Sequence, residues 1–200
     1  PMTLSLTLQN LTRRGFAARA FDTAAQAADY VASTIHGKTV GIGGSLTVEA
    51  LGLYERLTPD NTVYWHWRTD DAETRRQAAL AQVYLSSANA IAETGEIINI
   101  DGAGNRVAAT LYGHERVILI AGVNKIAPDA ESALWRARNI AAPLNAKRLN
   151  CQTPCALSKE MKCYDCSSPD RICCGVVTML RPLYGNGSTE VVLVNEALGY

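Results

Sequence analysis

Apolar positions along the chain fall into two periods, and each predicts a different kind of element. Leu4, Leu8 and Leu11 recur at helical spacing, with Leu6 off that face, and predict a helix over 2–14 that Gly15 ends. Residues 16–21 read as a short strand. Ala24, Ala27, Ala28, Val31 and Ile35 form the buried stripe of a second helix over 23–35, capped by Asp22 or Thr23. Residues 38–44 (KTVGIGG) read as a buried strand entering a glycine turn, with Ser45 as cap of a helix over 46–57. Further on, 63–67 (VYWHW), 82–86 (QVYLS) and 116–121 (RVILIA) are strand-like, while 70–81 and 128–140 are helical, with Pro128 suited to a first turn. Residues 175–180 and 190–194 are closing strands turned by Gly185, Asn186 and Gly187. Strands alternating with helices predict a single α/β domain over 1–200, built on a largely parallel sheet flanked by helices.

Composition narrows the class. The 200 residues are 48% hydrophobic and 19% charged, ordinary for one globular core. Lys plus Arg and Asp plus Glu both total 19, so no net field favours nucleic acid or an anionic membrane. No apolar run approaches the ~20 residues of a membrane span. The N-terminus lacks the pattern of a secretory signal, so a cytoplasmic protein is expected. Pro1 ahead of Met2 reads as a residue left by tag removal and is set aside.

Polar residues concentrate at a few places. The stretch SANAIAETGEIINIDGAGNR (87–106) carries Glu93, Glu96, Asp101, Asn89, Asn99, Asn105 and Arg106 among isoleucines that argue for buried strand. Buried polar groups need partners, so this mixture marks a site or a solvated loop. GIGGSLT supplies Gly43 and Gly44 for close backbone approach, and Ser45 and Thr47 as hydroxyls. A strand, glycine turn and helix start form an anion-friendly geometry, which also occurs as a plain tight turn. Asn124 and Lys125 follow the strand 116–121, at the carboxyl end where ligands collect in open α/β sheets. Asn145, Lys147 and Arg148 add a third polar patch. Together these suit a small anionic or hydroxylated ligand. His66, between Trp65 and Trp67, reads as a packed histidine.

All six cysteines lie between Cys151 and Cys174, which favours a metal or cluster site over disulfides. Cys163 and Cys166 form a chelating pair, with Cys155 and Cys173 as third and fourth ligands. The set suits tetrahedral zinc or a 4Fe–4S cluster. Cys173 and Cys174 are neighbours whose side chains diverge in a strand, so one of them is a ligand. Cys151 is a spare that packs as a small hydrophobe or replaces one of the four. The segment 150–174 is expected to be an irregular, metal-held insertion.

Several long motifs carry a resemblance: SANAIAETGEIINIDGAGNRVAA, AGVNKI, RNIAAPLNAKRL, TPC and CYDCSSPDRIC. With them the chain resembles the lactate-utilisation, or LUD, domain family, and within it the short cysteine-bearing bacterial members. The resemblance implies the fold shared with ribose phosphate isomerase, glucosamine phosphate deaminase and CoA transferases. In those sugar-phosphate enzymes a GxGxGST-like turn binds phosphate, and Gly41, Gly43, Gly44, Ser45 and Thr47 are similar here. Their acid/base carboxylates lie in later loops, which points to Glu93 and Asp101. The family name implies a tie to growth on lactate, where subunits divide electron-transfer and substrate roles. The longer member paired with them lacks this cysteine set.

Three readings follow. One is a metalloenzyme of hydroxy-acid or sugar metabolism, isomerase or lyase in type. Its metal would polarise a substrate oxygen while Glu93 or Glu96 moves a proton, with Asp101 and Lys125 beside them. Another is an iron–sulfur electron-transfer component of lactate oxidation with a redox partner subunit. The last is a ligand-binding protein with a structural metal. A homo-oligomer fits any of them.

Overall fold

A computed structural model describes residues 2–200, with side chains from Leu4 onward; Pro1 lies outside the described residues. The strands in chain order are β1 (Ala17–Phe21), β2 (Thr39–Ile42), β3 (Thr62–Trp65), β4 (Val83–Ser86), β5 (Ala90–Ala92), β6 (Ile97–Asp101), β7 (Arg116–Gly122), β8 (Ile126–Ala127), β9 (Gly175–Met179) and β10 (Thr189–Val194). Six of them form one parallel sheet in the order β1-β10-β7-β4-β2-β3. The fold is therefore α/β with a parallel sheet, as the alternation of elements predicts. The other four strands make a smaller mixed sheet, β8-β5-β6-β9. The polar stretch 87–106 supplies its central hairpin.

β7 and β10 are interior strands and are almost wholly buried, which is why they read as continuous apolar runs. Alternate residues serve the two faces. Ile118, Ile120, Val192 and Val194 pack with α2 (Ala24–Ser33), while Val117, Leu119, Val191 and Leu193 pack with α1 (Met2–Arg13). The second helix is capped by Thr23, whose side chain accepts from Gln26 N in a capping box.

Two helices differ from expectation. The run over 46–57 is broken into α3 (Leu46–Ala50) and α4 (Leu53–Leu57), because Gly52 adopts φ +62°. Next come α5 (Ala72–Leu80) and α6 (Asn105–Leu111). The run predicted from Pro128 starts instead at α7 (Ala130–Arg136), with Asp129 as cap accepting from Ser132 N, so Pro128 precedes the helix. It continues through a π turn (Ala137–Ala141) into α8 (Ala142–Arg148). Pro143 has no N–H to offer, and Ala142 N donates to Ala137 O, five residues back. Beyond α8 the cysteine segment is irregular apart from α9 (Pro154–Leu157).

Candidate functional site

All six strands of the large sheet are parallel, so their carboxyl ends share one edge. A cleft of about 300 Å³ opens there. Its floor is Lys125, just past β7, with Thr47 from α3 and Ser87 just past β4. Lys125 Nζ lies 3.0 Å from Thr47 Oγ1 and 2.9 Å from Ser87 Oγ. Lys125 is 5% exposed. Burial, then the nearby charges of Arg136 and Arg106, push its ammonium down to about 7.

One wall is the loop from β6 into α6. Asp101 Oδ1 accepts from Gly102 N and Oδ2 from Val107 N, both at 2.9 Å, so this carboxylate lines the cleft and ties down the start of α6. Arg106 reaches back to the strands, donating to Asn99 Oδ1 at 2.7 Å and Ile100 O at 2.6 Å. It also donates to Ser87 O and Asn89 Oδ1, each at 3.3 Å. Arg136 is buried and donates to Asn124 O at 3.0 Å and Asn89 O at 2.6 Å. Among the described residues, no carboxylate forms an ion pair with Lys125, Arg106 or Arg136. Two arginines with no ion-paired carboxylate, beside the lysine, favour an anionic ligand.

The other walls come from three places. His66 and Trp67, past β3, face Gly44: a Cβ there would stand 3.4 Å from Trp67 Nε1 and 3.6 Å from His66 Nε2. Burial, then Arg75, pull the His66 imidazole down, against Asp70. Asn145 and Arg148 come from α8, where Arg148 donates to Asn145 Oδ1 at 2.8 Å and lies over the Trp67 ring. Gly199 and Tyr200 form a strap. The Asn124 amide grips this strap, with Nδ2 donating to Gly199 O at 3.2 Å and Oδ1 accepting from Leu198 N at 3.0 Å. Gly199 has φ +61° and lies so close to Thr47 that a Cβ would meet its Oγ1 at 2.7 Å.

Of the residues singled out in the sequence, the cleft gathers Gly44, Ser45, Thr47, Asn89, Asp101, Asn105, Arg106, Lys125, Asn145 and Arg148. Gly43 lies beneath it, and a Cβ there would meet Arg106 Cγ and Tyr84 Oη at 2.8 Å. Glu93 and Glu96 are not brought to the cleft. They sit in the β5–β6 turn, one and four residues beyond β5, on the side facing α1. There Arg14 and Thr94 hold the Glu96 carboxylate, and Asn10 donates to Glu93 O at 2.6 Å. Lys147 is exposed away from the cleft, one position round the helix from Arg148. Asn124 spends its amide on the strap.

Sequence reasoning passed over Ser87, Arg136, the strap, and the cleft-facing roles of His66 and Trp67. Ser87, His66 and Trp67 had a signal, since they follow strands at their carboxyl ends, as Asn124 and Lys125 do.

The cysteines form a second feature. Cys155, Cys163, Cys166 and Cys173 line one small hollow with Arg138 and Arg171. All are free thiols; Cys151 is outside the hollow, and Cys174 is exposed with Sγ 3.3 Å from Arg171 O. No three His, Cys, Asp or Glu side chains among the described residues converge as on a single ion. A 4Fe–4S cluster asks for four thiolates around a hollow, and these four thiols share one. Asp165 N lies 3.4 Å and Arg138 Nη2 3.7 Å from Cys163 Sγ, and Thr153 Oγ1 is 3.3 Å from Cys155 Sγ. Burial pushes the Cys173 thiol up, while Arg171 pulls it down. The hollow and the cleft lie on two sides of the 137–148 helix, and Ile172 borders both.

The model of the LUD domain matches residues 4–194. The chain belongs to the LUD domain family. A crystal structure of a DUF162 family protein from Deinococcus radiodurans is similar in fold to this LUD domain, with a TM-score of 0.58 over 96% of each chain at 12% identity. No curated protein matches the chain.

Proposed function

We propose that the cleft is an active site that moves protons on a small anionic, hydroxylated substrate, as an isomerase or lyase does. The observation that carries this reading is Lys125, a lysine buried at the cleft floor with no carboxylate partner. Lys125 and His66 are the two cleft groups whose ionisation is drawn toward or below neutrality, so both can accept a proton there. Asp101 adds a carboxylate on the opposite wall. The Arg106 and Arg136 charges and the amides of Gly44–Thr47 favour the substrate's anionic group. Glu93 and Glu96 have no part in this reading. In D2O the protein is expected to exchange deuterium into the carbon-bound hydrogens of lactate, glycerate, ribose 5-phosphate or glucosamine 6-phosphate, as watched by proton NMR. Lys125→Met should slow that exchange at least ~100-fold, and Glu93→Gln should leave it unchanged. Binding of these compounds with no exchange into any of them overturns the reading.

Cys155, Cys163, Cys166 and Cys173 would hold a 4Fe–4S cluster, with zinc as the alternative occupant. When bound, such a cluster supplies one-electron transfer. Arg138 and Arg171 would offset the thiolate charge. A metal that polarises the substrate directly is not carried into this reading, because the cysteine hollow opens on the other side of the 137–148 helix. A second reading, an electron-transfer component of lactate metabolism, draws on the surface beside the hollow. Leu157, Met161 and Tyr164 are exposed there, as at a docking face for a redox partner. Anaerobically purified protein is expected to contain iron and sulfide and to bleach reversibly with dithionite. Stoichiometric zinc without iron would rule the cluster out.

A further inference from the structure

The hydrogen bonds around Lys125 leave one position on Nζ open. Thr47 Oγ1 donates its single proton to Leu198 O at 3.2 Å, and Ser87 Oγ donates its own to Ala88 O at 3.4 Å. Both oxygens must therefore accept from Nζ. Two N–H bonds and the bond to Cε account for three tetrahedral positions. The fourth is a lone pair when the amine is neutral, on a side chain that lines the cleft. No carboxylate lies within ion-pair reach to hold a proton there. The charged groups facing Nζ are Arg136 and Arg106, both cations, with Asp101 acting on Arg106. Such a lysine is a nucleophile at neutral pH. The other four lysines contrast with it: Lys38 and Lys162 are paired with Glu115 and Glu160, and Lys147 and Lys159 are exposed.

We infer that Lys125 is a covalent site, whose Nζ condenses with the carbonyl of a small anionic carbonyl compound bound in the cleft. The Nζ lone pair bonds to the carbonyl carbon, the carbonyl oxygen gains a proton, and the nitrogen loses one, giving a carbinolamine. That hydroxyl then leaves as water while the nitrogen gives up its second proton, giving an imine. One amine and one carbonyl yield one imine and one water, with no oxidant or reductant. Thr47 and Ser87 accept from Nζ and hold it in place; the protons move between nitrogen and oxygen through His66, which lines the same cleft, or through water. The cations beside Nζ select a carbonyl compound that carries a carboxylate or a phosphate. The inference rests on the proposed function and assigns its proton transfer to His66, since Lys125 is then bonded to the substrate.

The test uses the whole protein with sodium cyanoborohydride and three probes: pyruvate, glycolaldehyde phosphate and uncharged glycolaldehyde. Peptide mapping by mass spectrometry locates the reduced adduct. One adduct per chain is expected on Lys125, forming at least tenfold faster than at Lys147 or Lys159 and absent in Lys125→Arg. Either anionic probe should outpace glycolaldehyde, and whichever of the two is faster identifies the anionic group. Adducts spread evenly over the lysines overturn the inference from the wild-type protein alone, even if the variant fails to fold. Equal labelling by charged and uncharged probes overturns the anionic class. If calorimetry shows an anionic probe binding with no adduct trapped, the covalent step fails while the proposed site stands. If no anion binds, both fail together.

Discussion

Arg106→Met is expected to lower the unfolding free energy by about 2–4 kcal/mol and to abolish anion binding in the cleft. Arg106 is partly buried and crosses from α6 to both neighbouring strand ends, donating to Ser87 O, Asn89 Oδ1, Asn99 Oδ1 and Ile100 O. Methionine fills the space of the stem that packs on Gly43, so the loss is polar rather than a cavity. Each acceptor stranded in the interior costs on the order of 1–3 kcal/mol, with some relief from water at the cleft. Asn99 suffers most: it is 1% exposed and its Nδ2 already has no partner, so removing Arg106 leaves both ends of its amide unmet. Lysine should not restore stability, because a single ammonium cannot span four acceptors as a planar fork does. Urea unfolding at pH 7 checks this through the midpoint at constant slope. A midpoint equal to that of the wild type would mean the four contacts do not hold the wall.

The same network explains what was legible in the sequence. The parallel sheet could be read because β7 and β10 are continuous apolar runs and the helices between them carry clean stripes. The polar density of 87–106 marked the right segment, but within it only the residues at the open end of the β5–β6 hairpin and just beyond reach the cleft. Glu93 and Glu96 fall in the hairpin turn, at the other end of β5 and β6, and a strand reverses direction between Ala92 and Ile97. No local pattern shows which end of a hairpin faces a ligand. Arg136 sits in an ordinary helical stripe and was hidden for the opposite reason, since its role depends on the small sheet packing against α7. The Leu198–Tyr200 strap has no signature at all; its place is fixed by Asn124, 74 or 75 positions away in the chain. Cys155, Cys163, Cys166 and Cys173 line one hollow, but no three His, Cys, Asp or Glu side chains among the described residues converge as on a single ion. The four cysteines line a different face of the 137–148 helix from the one that lines the cleft.

Lys125→Met is expected to be more stable than the wild type at pH 6, and to lose that advantage by about pH 10. The sign follows from where the proton sits. In the unfolded chain this lysine titrates at its ordinary value of 10.5, and in the folded protein at about 7. Between those values the unfolded state binds more protons, so wild-type unfolding free energy rises with pH across that window. Below about pH 7 both states are protonated, and the full cost of a buried ammonium beside Arg136 and Arg106 is present. At about 1.4 kcal/mol per unit, the window amounts to something on the order of 4–5 kcal/mol. Methionine carries no proton, and the other titrating groups are common to both proteins, so the difference between the two stability curves isolates Lys125. Urea unfolding at intervals from pH 6 to pH 10 measures it, and parallel curves would show that Lys125 holds an ordinary ammonium. A lysine kept for packing gains from a carboxylate partner, as Lys38 does from Glu115 at 2.8 Å. Lys125 instead stands where its charge opposes folding over the whole acidic range, among two cations and two hydroxyls whose protons are already committed. That arrangement is costly for a scaffold and useful for chemistry, because it keeps an amine lone pair facing a cleft near neutral pH.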